Sequence, residues 1–271
     1  EFDVYLDASS GSEAFGHLAL SARGKPVLHA GQAPRLAATA APTSADMWSS
    51  ARNEITVSAQ GDIAVTATYT FGGAHAHAMR SSFAALLKMP GFGRGERLFT
   101  QAIEGQGYVG DGYYAAIADT EAGGATFDFT ASYRIDAMLD TSNPYGVALN
   151  AFFPSSANLA STDYVVGDLD FAHDFQCLPG RKQETIELAF PPTVTLLAVP
   201  HDVSLDLPAV SYHARYRQHG NRVSVTREII DRSPGPVCAA DVVGQYRELA
   251  SVMKRDLQAQ AVYMPRPGST P

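Results

Sequence analysis

The chain has 271 residues, 45% of them hydrophobic, which is enough to bury the core of one large or two modest domains. Its formal net charge of −8 and its pI near 5.4 argue against a nucleic-acid or anionic-membrane surface, because both require clustered Lys and Arg. No stretch approaches the roughly 18 consecutive apolar residues of a membrane span.

The chain begins abruptly, with residues 3–7 in what the pattern predicts to be a strand. Neither a Met nor the basic and apolar regions of a signal peptide precede it, so we expect the natural protein to continue upstream of Glu1. A second short strand is predicted at residues 25–29. Residues 30–46 are small, Pro-containing and aperiodic, which is typical of a linker. A domain boundary is therefore expected near residue 43.

Beyond the boundary, a hairpin is predicted, because residues 55–58 and 63–69 alternate around a turn that carries Gly61. Two helices are expected next, at residues 75–88 and 94–104, each followed by Gly or Pro-Gly. Period-two alternation then predicts a series of short strands at residues 113–117, 126–133, 147–152, 184–190, 193–199, 203–207, 210–217 and 222–230.

A C-terminal helix is predicted over residues 241–260, with Asp241 as its N-cap and apolar residues at helical spacing. The sequence therefore predicts a mainly β fold, an antiparallel β-sandwich with a few helices.

The two cysteines, Cys177 and Cys238, are 61 positions apart and lack the spacing of a zinc site. They either form a disulfide, which needs an oxidising compartment, or remain as two buried free thiols. A nucleophilic site that combines Cys177 with His173 is a third, less favoured interpretation.

Other polar constellations favour structural roles, so no metal and no cofactor is predicted. His75 and His77 would lie roughly 200° apart on the predicted helix, which indicates a helix N-terminus with solvated histidines. Asp168, Asp170, His173 and Asp174 lack the Gly turn and the terminal Glu of an EF-hand. The Gly91-x-Gly93-x-Gly95 run has the spacing of no phosphate loop and is interpreted as a connector between helices. The abundant Tyr and Phe would suit a sugar-binding platform, although on alternating strands they more often form the core.

Several segments resemble a known family. The segments Tyr5-Leu6-Asp7-Ala8-Ser9, Phe15-Gly16 and Gly24-Lys25-Pro26-Val27-Leu28 resemble the end of the papain-like core in bacterial transglutaminase-like proteins. The patterns Gly220-x-x-x-Ser224-Val225-x-Arg227-Glu228 and Asp231-x-x-x-Gly235-Pro236-Val237-Cys238 resemble the uncharacterised β-domain that follows this core in many secreted Gram-negative proteins.

The resemblance implies that residues 1–43 are the end of the core and its linker, and that residues 44–271 are an accessory β-sandwich domain. In the family, Cys, His and Asp form a catalytic triad in that order, and Asp7 matches the Asp that orients the imidazole. No Cys and no His precede Asp7 in this chain. Because an Asp alone generates no thiolate, the chain by itself is expected to be inactive.

Two functional hypotheses follow. In the first, the chain is the non-catalytic part of a periplasmic or secreted transglutaminase-like protein. Its partners would be the upstream catalytic half and a protein or peptide substrate, and its β-region would support the core or shape substrate access. In the second, it is a stand-alone envelope module that binds a glycan or a protein through an exposed face or edge strand.

Overall fold

A computed structural model describes residues 5, 15–16, 18–19, 22–30, 33–150, 174–235 and 237–268. Within them, three α-helices are α1 (Ala74–Leu87), α2 (Glu96–Glu104) and α3 (Val243–Gln258), the last preceded by a 3-10 helix at Ala240–Val242. The strands of the described chain, in order, are β1 (Pro26–His29), β2 (Arg35–Ala38), β3 (Met47–Val57), β4 (Ile63–Gly73), β5 (Gly110–Ile117), β6 (Thr126–Ile135), β7 (Tyr145–Ala148), β8 (Phe175–Gln176), β9 (Gly180–Ala189), β10 (Val194–Ala198), β11 (Val203–Asp206), β12 (Val210–His219), β13 (Arg222–Asp231), β14 (Val237–Cys238) and β15 (Gln260–Pro265).

The main element is an eight-stranded sheet with the order β11-β12-β13-β9-β3-β4-β6-β5. Strands β3 and β9 at its centre are parallel, and every other pair in this sheet is antiparallel. The parallel pair joins two four-stranded halves, one built from β3 to β6 and the other from β9 and β11 to β13. A three-stranded sheet, β10-β15-β7, and two short ribbons, β1-β2 and β14-β8, complete the described strands.

The predicted alternation decides which side of the large sheet is buried. In β3 and β4 every second residue is buried, so one side of each strand faces the core and the other faces away from it. Register carries this side across the sheet, and one row of the buried side contains Tyr212, Ile229, Lys182, Ser49, Phe71 and Phe127.

All three helices pack on that same side. Phe83 of α1 contacts the rings of Phe127 and Phe129, and Phe99 of α2 contacts Tyr133. Asp256 of α3 accepts hydrogen bonds from β12. The small sheet joins this layer through Tyr263, whose ring lies 5.2 Å from that of Phe190. One continuous core results.

The opposite side of the sheet is polar. Arg52, Glu54, Thr66 and Thr68 are exposed there. Register adds further hydroxyl side chains to this open face: Ser50, Thr70, Thr130, Ser132, Thr185, Ser224 and Thr226. None of the described helices packs on this open face of the large sheet.

The predicted mainly β fold, with antiparallel strands and a C-terminal helix, is confirmed. Both central helices and the strand series lie where the sequence placed them, to within a few residues. The predicted hairpin is present, but its first strand begins at Met47, well before the predicted start at residue 55. Of the predicted strand at 147–152, residues 151–152 lie outside the described chain.

Two local expectations were wrong. Residues 35–38 of the predicted linker form β2, because they pair with β1. Asp241 lies inside the 3-10 helix, and α3 begins after Val242 without a side-chain cap. The C-terminal helix ends at Gln258, close to its predicted end, and residues 260–265 form an additional strand, β15, which pairs with β10 and β7.

Candidate functional site

Only some of the site residues predicted from the sequence lie in the described part of the chain. Asp7 lies outside the described residues, so its role in a triad stays a prediction. Asp168, Asp170 and His173 also lie outside them, and Asp174 is exposed. In the part of the chain that is described, no group of three or more His, Cys, Asp or Glu side chains is arranged to hold a metal ion.

Cys177 and Cys238 form a disulfide, with their Cα atoms 5.7 Å apart. The bond links the two strands of the short ribbon, because Cys177 directly follows β8 and Cys238 lies in β14. A cysteine in a disulfide has no thiolate, so Cys177 is not a nucleophile. A disulfide is compatible with an extracytoplasmic protein. Within the described residues, no helix is long and apolar enough to cross a membrane.

The two histidines lie at the start of α1, and the glycine run follows its end. Gly91, Gly93 and Gly95 connect α1 to α2 with φ of 75°, 55° and 82°, which confirms the predicted connector. His75 and His77 lie in the first turn of α1, as expected, but both are only partly exposed and not solvated as predicted.

The described residues form a cleft of about 380 Å³ at the start of β3 and β9, which we call the Trp48 cleft. Its lining combines one aromatic ring with small and polar side chains: Ser44, Ala45, Trp48, Ser49, Ser50, Arg181 and Gln183. Pockets of this size fit small ligands or a few units of a polymer.

Trp48 is the single tryptophan of the chain, and its side chain packs against the neighbouring strand β4. It is paired in register with Gly72 of β4, and a Cβ atom at Gly72 would overlap Cε2, Nε1 and Cζ2 of the indole. The missing side chain of Gly72 therefore creates the seat in which the ring rests. The ring is partly exposed, and it lines the cleft.

The polar wall of the cleft comes from β9. Register places Arg181 beside Trp48 and Gln183 beside Ser50. Arg181 donates to Glu228 of β13, with Nε 2.6 Å from Oε1, so its charge is neutralised within the sheet. The cleft thus offers an amide, hydroxyls and a paired guanidinium next to an aromatic ring.

The N-terminal segment is fixed at the same corner. Arg23 forms an ion pair with Asp46 at 2.7 Å, and Asp46 also accepts hydrogen bonds from the backbone and hydroxyl of Thr43. Thr39 accepts from the backbone of Lys25 and donates to the carbonyl of Ala22. These contacts hold residues 22–46 against the start of β3, and Ser44 and Ala45 form one wall of the cleft.

Behind the cleft, the buried side of β3 carries polar groups. Ser49 is buried, and His75 of α1 hydrogen-bonds to the backbone of Trp48. Further along, Asn53 is 0% exposed, and among the described residues its side-chain amide has no hydrogen-bond partner. Such a group weakens the folded state by about 1–3 kcal/mol unless water or a ligand satisfies it.

A cluster of charged and hydroxyl groups lies deeper, between β12, β13, β9 and α3. Arg227 donates from Nε to Asp256 at 2.9 Å and from Nη1 to Glu184 at 3.2 Å. Its remaining described partners are the carbonyl of Leu149 and the hydroxyl of Tyr216. Tyr212 and Tyr216 both donate to Asp256, at 2.5 and 2.8 Å, and burial raises the pKa of both phenols. This Arg227 cluster fastens α3 to the sheet.

The histidine at the start of α1 makes stability depend on pH. Burial lowers the pKa of His75, and the charge of Lys182 lowers it further, against a smaller opposite effect of the Trp48 backbone. The unfolded chain, with an ordinary His pKa of about 6.5, then takes up its proton at a higher pH than the folded chain. We expect the free energy of unfolding to fall as pH falls through this value, and to stop falling once the folded state is protonated too.

Urea unfolding at pH 7.5 and pH 5.5 measures this difference. His75→Phe should reduce this pH dependence, whereas His77→Phe, two residues further along the same helix, should leave it as in the parent chain. Equal pH dependence in the parent and in His75→Phe would show that His75 does not cause it.

The seat of Trp48 can be tested by a single methyl group. The backbone at Gly72 is ordinary strand, so Gly72→Ala adds no φ strain, but the new Cβ must push the indole outward. We expect a red shift of tryptophan emission, since water would reach more of the ring. Gly124→Ala, where the added Cβ meets its nearest atom at 3.5 Å, is the matched control and should not shift the emission. An unshifted spectrum for Gly72→Ala would refute the proposed seat.

Sequence reasoning missed the Trp48 cleft. The available signal was the lone tryptophan at the head of a strand, together with the Gly72-Gly73 pair at the end of the next one. Of the abundant Tyr and Phe, Tyr69, Phe71, Phe127 and Phe129 are core residues, as their alternation indicated.

Comparison with known proteins identifies no relative, since no family model, no curated protein and no solved structure matches the chain.

Proposed function

We propose that the chain is the non-catalytic C-terminal part of a transglutaminase-like protein of the cell envelope, in which the β-region shapes access to an upstream catalytic half. The observation that supports this most is the position of the Trp48 cleft beside the anchored N-terminal segment. A catalytic core that ends near residue 30 would meet the β-region at this corner.

The anchoring contacts suit such a junction. The Arg23–Asp46 ion pair is largely shielded, with 11% and 27% of the two side chains exposed. Asp46 also ties the segment to α1, because its carbonyl accepts from the backbone of Ala74. A core attached through residues 22–46 would therefore be held in a defined orientation, with the cleft close to its substrate.

The upstream half would supply the catalytic Cys and His, since neither residue precedes Asp7 in this chain. In the proposed enzyme a Cys thiolate attacks a side-chain amide or peptide carbonyl to form a thioester, and the amine leaves with the proton that His donates. An amine or water then attacks the thioester and gives its proton to His, which frees the Cys, while Asp7 holds the imidazole. The β-region contributes binding and orientation. The Cys177–Cys238 disulfide supports a periplasmic or secreted location for this assembly.

Three proteins test the proposal: this chain, the chain extended upstream through a Cys and a His, and that extension with Asp7→Ala. Amine incorporation and peptide hydrolysis are measured for each. We expect activity in the intact extension alone. Activity in the present chain, or an extension indifferent to Asp7→Ala, would contradict the proposal.

A second candidate is a stand-alone envelope module that binds a glycan or a protein. The observation that favours it is the Trp48 cleft at the margin of a polar, open sheet face, since neither feature needs a catalytic half. The coding sequence upstream of Glu1 separates the candidates. A helix with a Cys followed by a His supports the first, and a signal peptide directly before Glu1 supports the second.

A further inference from the structure

We propose that the Trp48 cleft binds a neutral oligosaccharide, with the indole as the stacking platform and Gln183, Ser44 and Ser50 as hydrogen-bonding partners. The inference gives the second candidate function a site and a ligand class. It holds equally if the chain serves an upstream catalytic half, so the two proposals can fail separately.

The first argument is the way the ring is held. Because Gly72 has no side chain, the indole packs directly against β4, and the same ring lines the cleft. A fixed aromatic face of this kind presents a large apolar area with little entropy left to lose on binding. The C–H face of a pyranose ring is flat and apolar, and it fits such a surface.

The second argument is the chemistry of the walls. Sugar hydroxyls donate and accept at once, and so do the Gln183 amide and the hydroxyls of Ser44 and Ser50. Register places Gln183 and Ser50 side by side, directly adjacent to the pair formed by Arg181 and Trp48. The polar groups therefore lie along the rim of the aromatic platform, where the equatorial hydroxyls of a stacked sugar would point.

The third argument is charge. Arg181 would attract a phosphate or carboxylate if it were free, but Glu228 holds it at 2.5 Å. Because the Glu228 carboxylate neutralises Arg181, a bound anion would gain little net attraction there and would lie close to a negative charge. An apolar peptide finds only Ala45 and Trp48 as apolar lining residues. A neutral, hydroxyl-rich ligand matches the cleft without breaking any of its contacts.

The open face offers a continuation for a longer chain. Thr70 of β4 is paired with Ser50, and Thr68 and Thr185 follow in the neighbouring row. These hydroxyls extend from the cleft across the middle of the sheet. An oligosaccharide longer than the cleft would therefore meet further hydrogen-bonding groups, and we expect affinity to rise with its length.

The lone tryptophan makes the test direct. The full chain is titrated with cellohexaose, chitohexaose, maltohexaose and xylohexaose, and with hexagalacturonate as the charged comparison, while Trp48 emission is followed. We expect a saturable change with at least one neutral hexasaccharide, and weaker binding of the matching trisaccharide. Calorimetry then measures the variants: Trp48→Ala should weaken binding at least tenfold, Gln183→Ala several-fold, and Trp48→Phe less than Trp48→Ala.

Ser251→Ala, which removes an exposed hydroxyl on α3 at the covered side of the sheet, is the matched control and should bind as the parent does. The melting transition of each variant shows that it is folded. The proposal is overturned if no neutral hexasaccharide binds the folded chain, if Trp48→Ala binds as well as the parent, or if hexagalacturonate binds more tightly than every neutral sugar. A chain that binds a protein partner at this face and no saccharide would sink the inference and leave the binding-module function standing.

Discussion

Arg227→Met is expected to lower the free energy of unfolding by about 3–5 kcal/mol, the largest effect of any single substitution considered for this protein. Arg227 is completely buried, and its guanidinium neutralises two carboxylates that are also buried, those of Asp256 and Glu184. Methionine fills a similar volume but leaves both carboxylates without their countercharge in the core. The penalty therefore comes from the groups left behind and not from a cavity.

Arg217→Met is the control for this prediction. Arg217 lies on the neighbouring strand and pairs with Asp202 at 3.0 Å, but its side chain is 58% exposed. Water and salt screen such a pair, so its loss should change the unfolding free energy by no more than about 1 kcal/mol. Urea denaturation of both variants gives the comparison. If the two substitutions had the same small effect, the Arg227 cluster would not be what fastens α3 to the sheet.

The second large effect is expected from the disulfide. Replacing Cys177 and Cys238 together with alanine should lower the free energy of unfolding by about 4 kcal/mol, because the 61-residue separation leaves a long loop open in the unfolded chain. Both residues are buried, so alanine avoids placing a serine hydroxyl in the core. Guanidinium unfolding of the parent and the double variant measures the difference.

A reducing agent provides the internal control for the disulfide. Dithiothreitol should destabilise the parent chain toward the level of the double variant and should leave the double variant unchanged. If reduction had no effect on the parent, the bond would constrain neither state, and the loop-entropy explanation would be refuted.

Most elements of the fold were predictable, because their signals are local. The alternation of Ile63, Val65, Ala67 and Tyr69 in β4 is contained in a few consecutive residues, and a strand shows it before any partner is known. Where a signal was weak or misleading, the prediction failed. Residues 35–38 lie in a stretch rich in small residues and Pro that resembles a linker, and only their pairing with β1 makes them a strand.

The candidate site was harder to predict than the fold. Trp48 and Gly72 are 24 positions apart, and nothing in either segment indicates that one ring rests on the other residue. Arg181 and Glu228 are likewise distant, and their pairing decides that the cleft carries no free positive charge. Asp7, the one catalytic residue implied by the family resemblance, remains a prediction.

The amino-acid sequence by itself determined the mainly β class, the hairpin, the helices and the candidate disulfide pair, since period-two and period-3.6 patterns and a cysteine count need no knowledge of distant contacts. Only the tertiary structure decided that β3 and β9 run parallel at the centre, which side of the sheet is covered, and that Trp48 lies in a cleft. The reason is that strand order and side-chain contacts depend on segments far apart in the chain. Their pairing is chosen by the burial of the whole core and not by any local pattern.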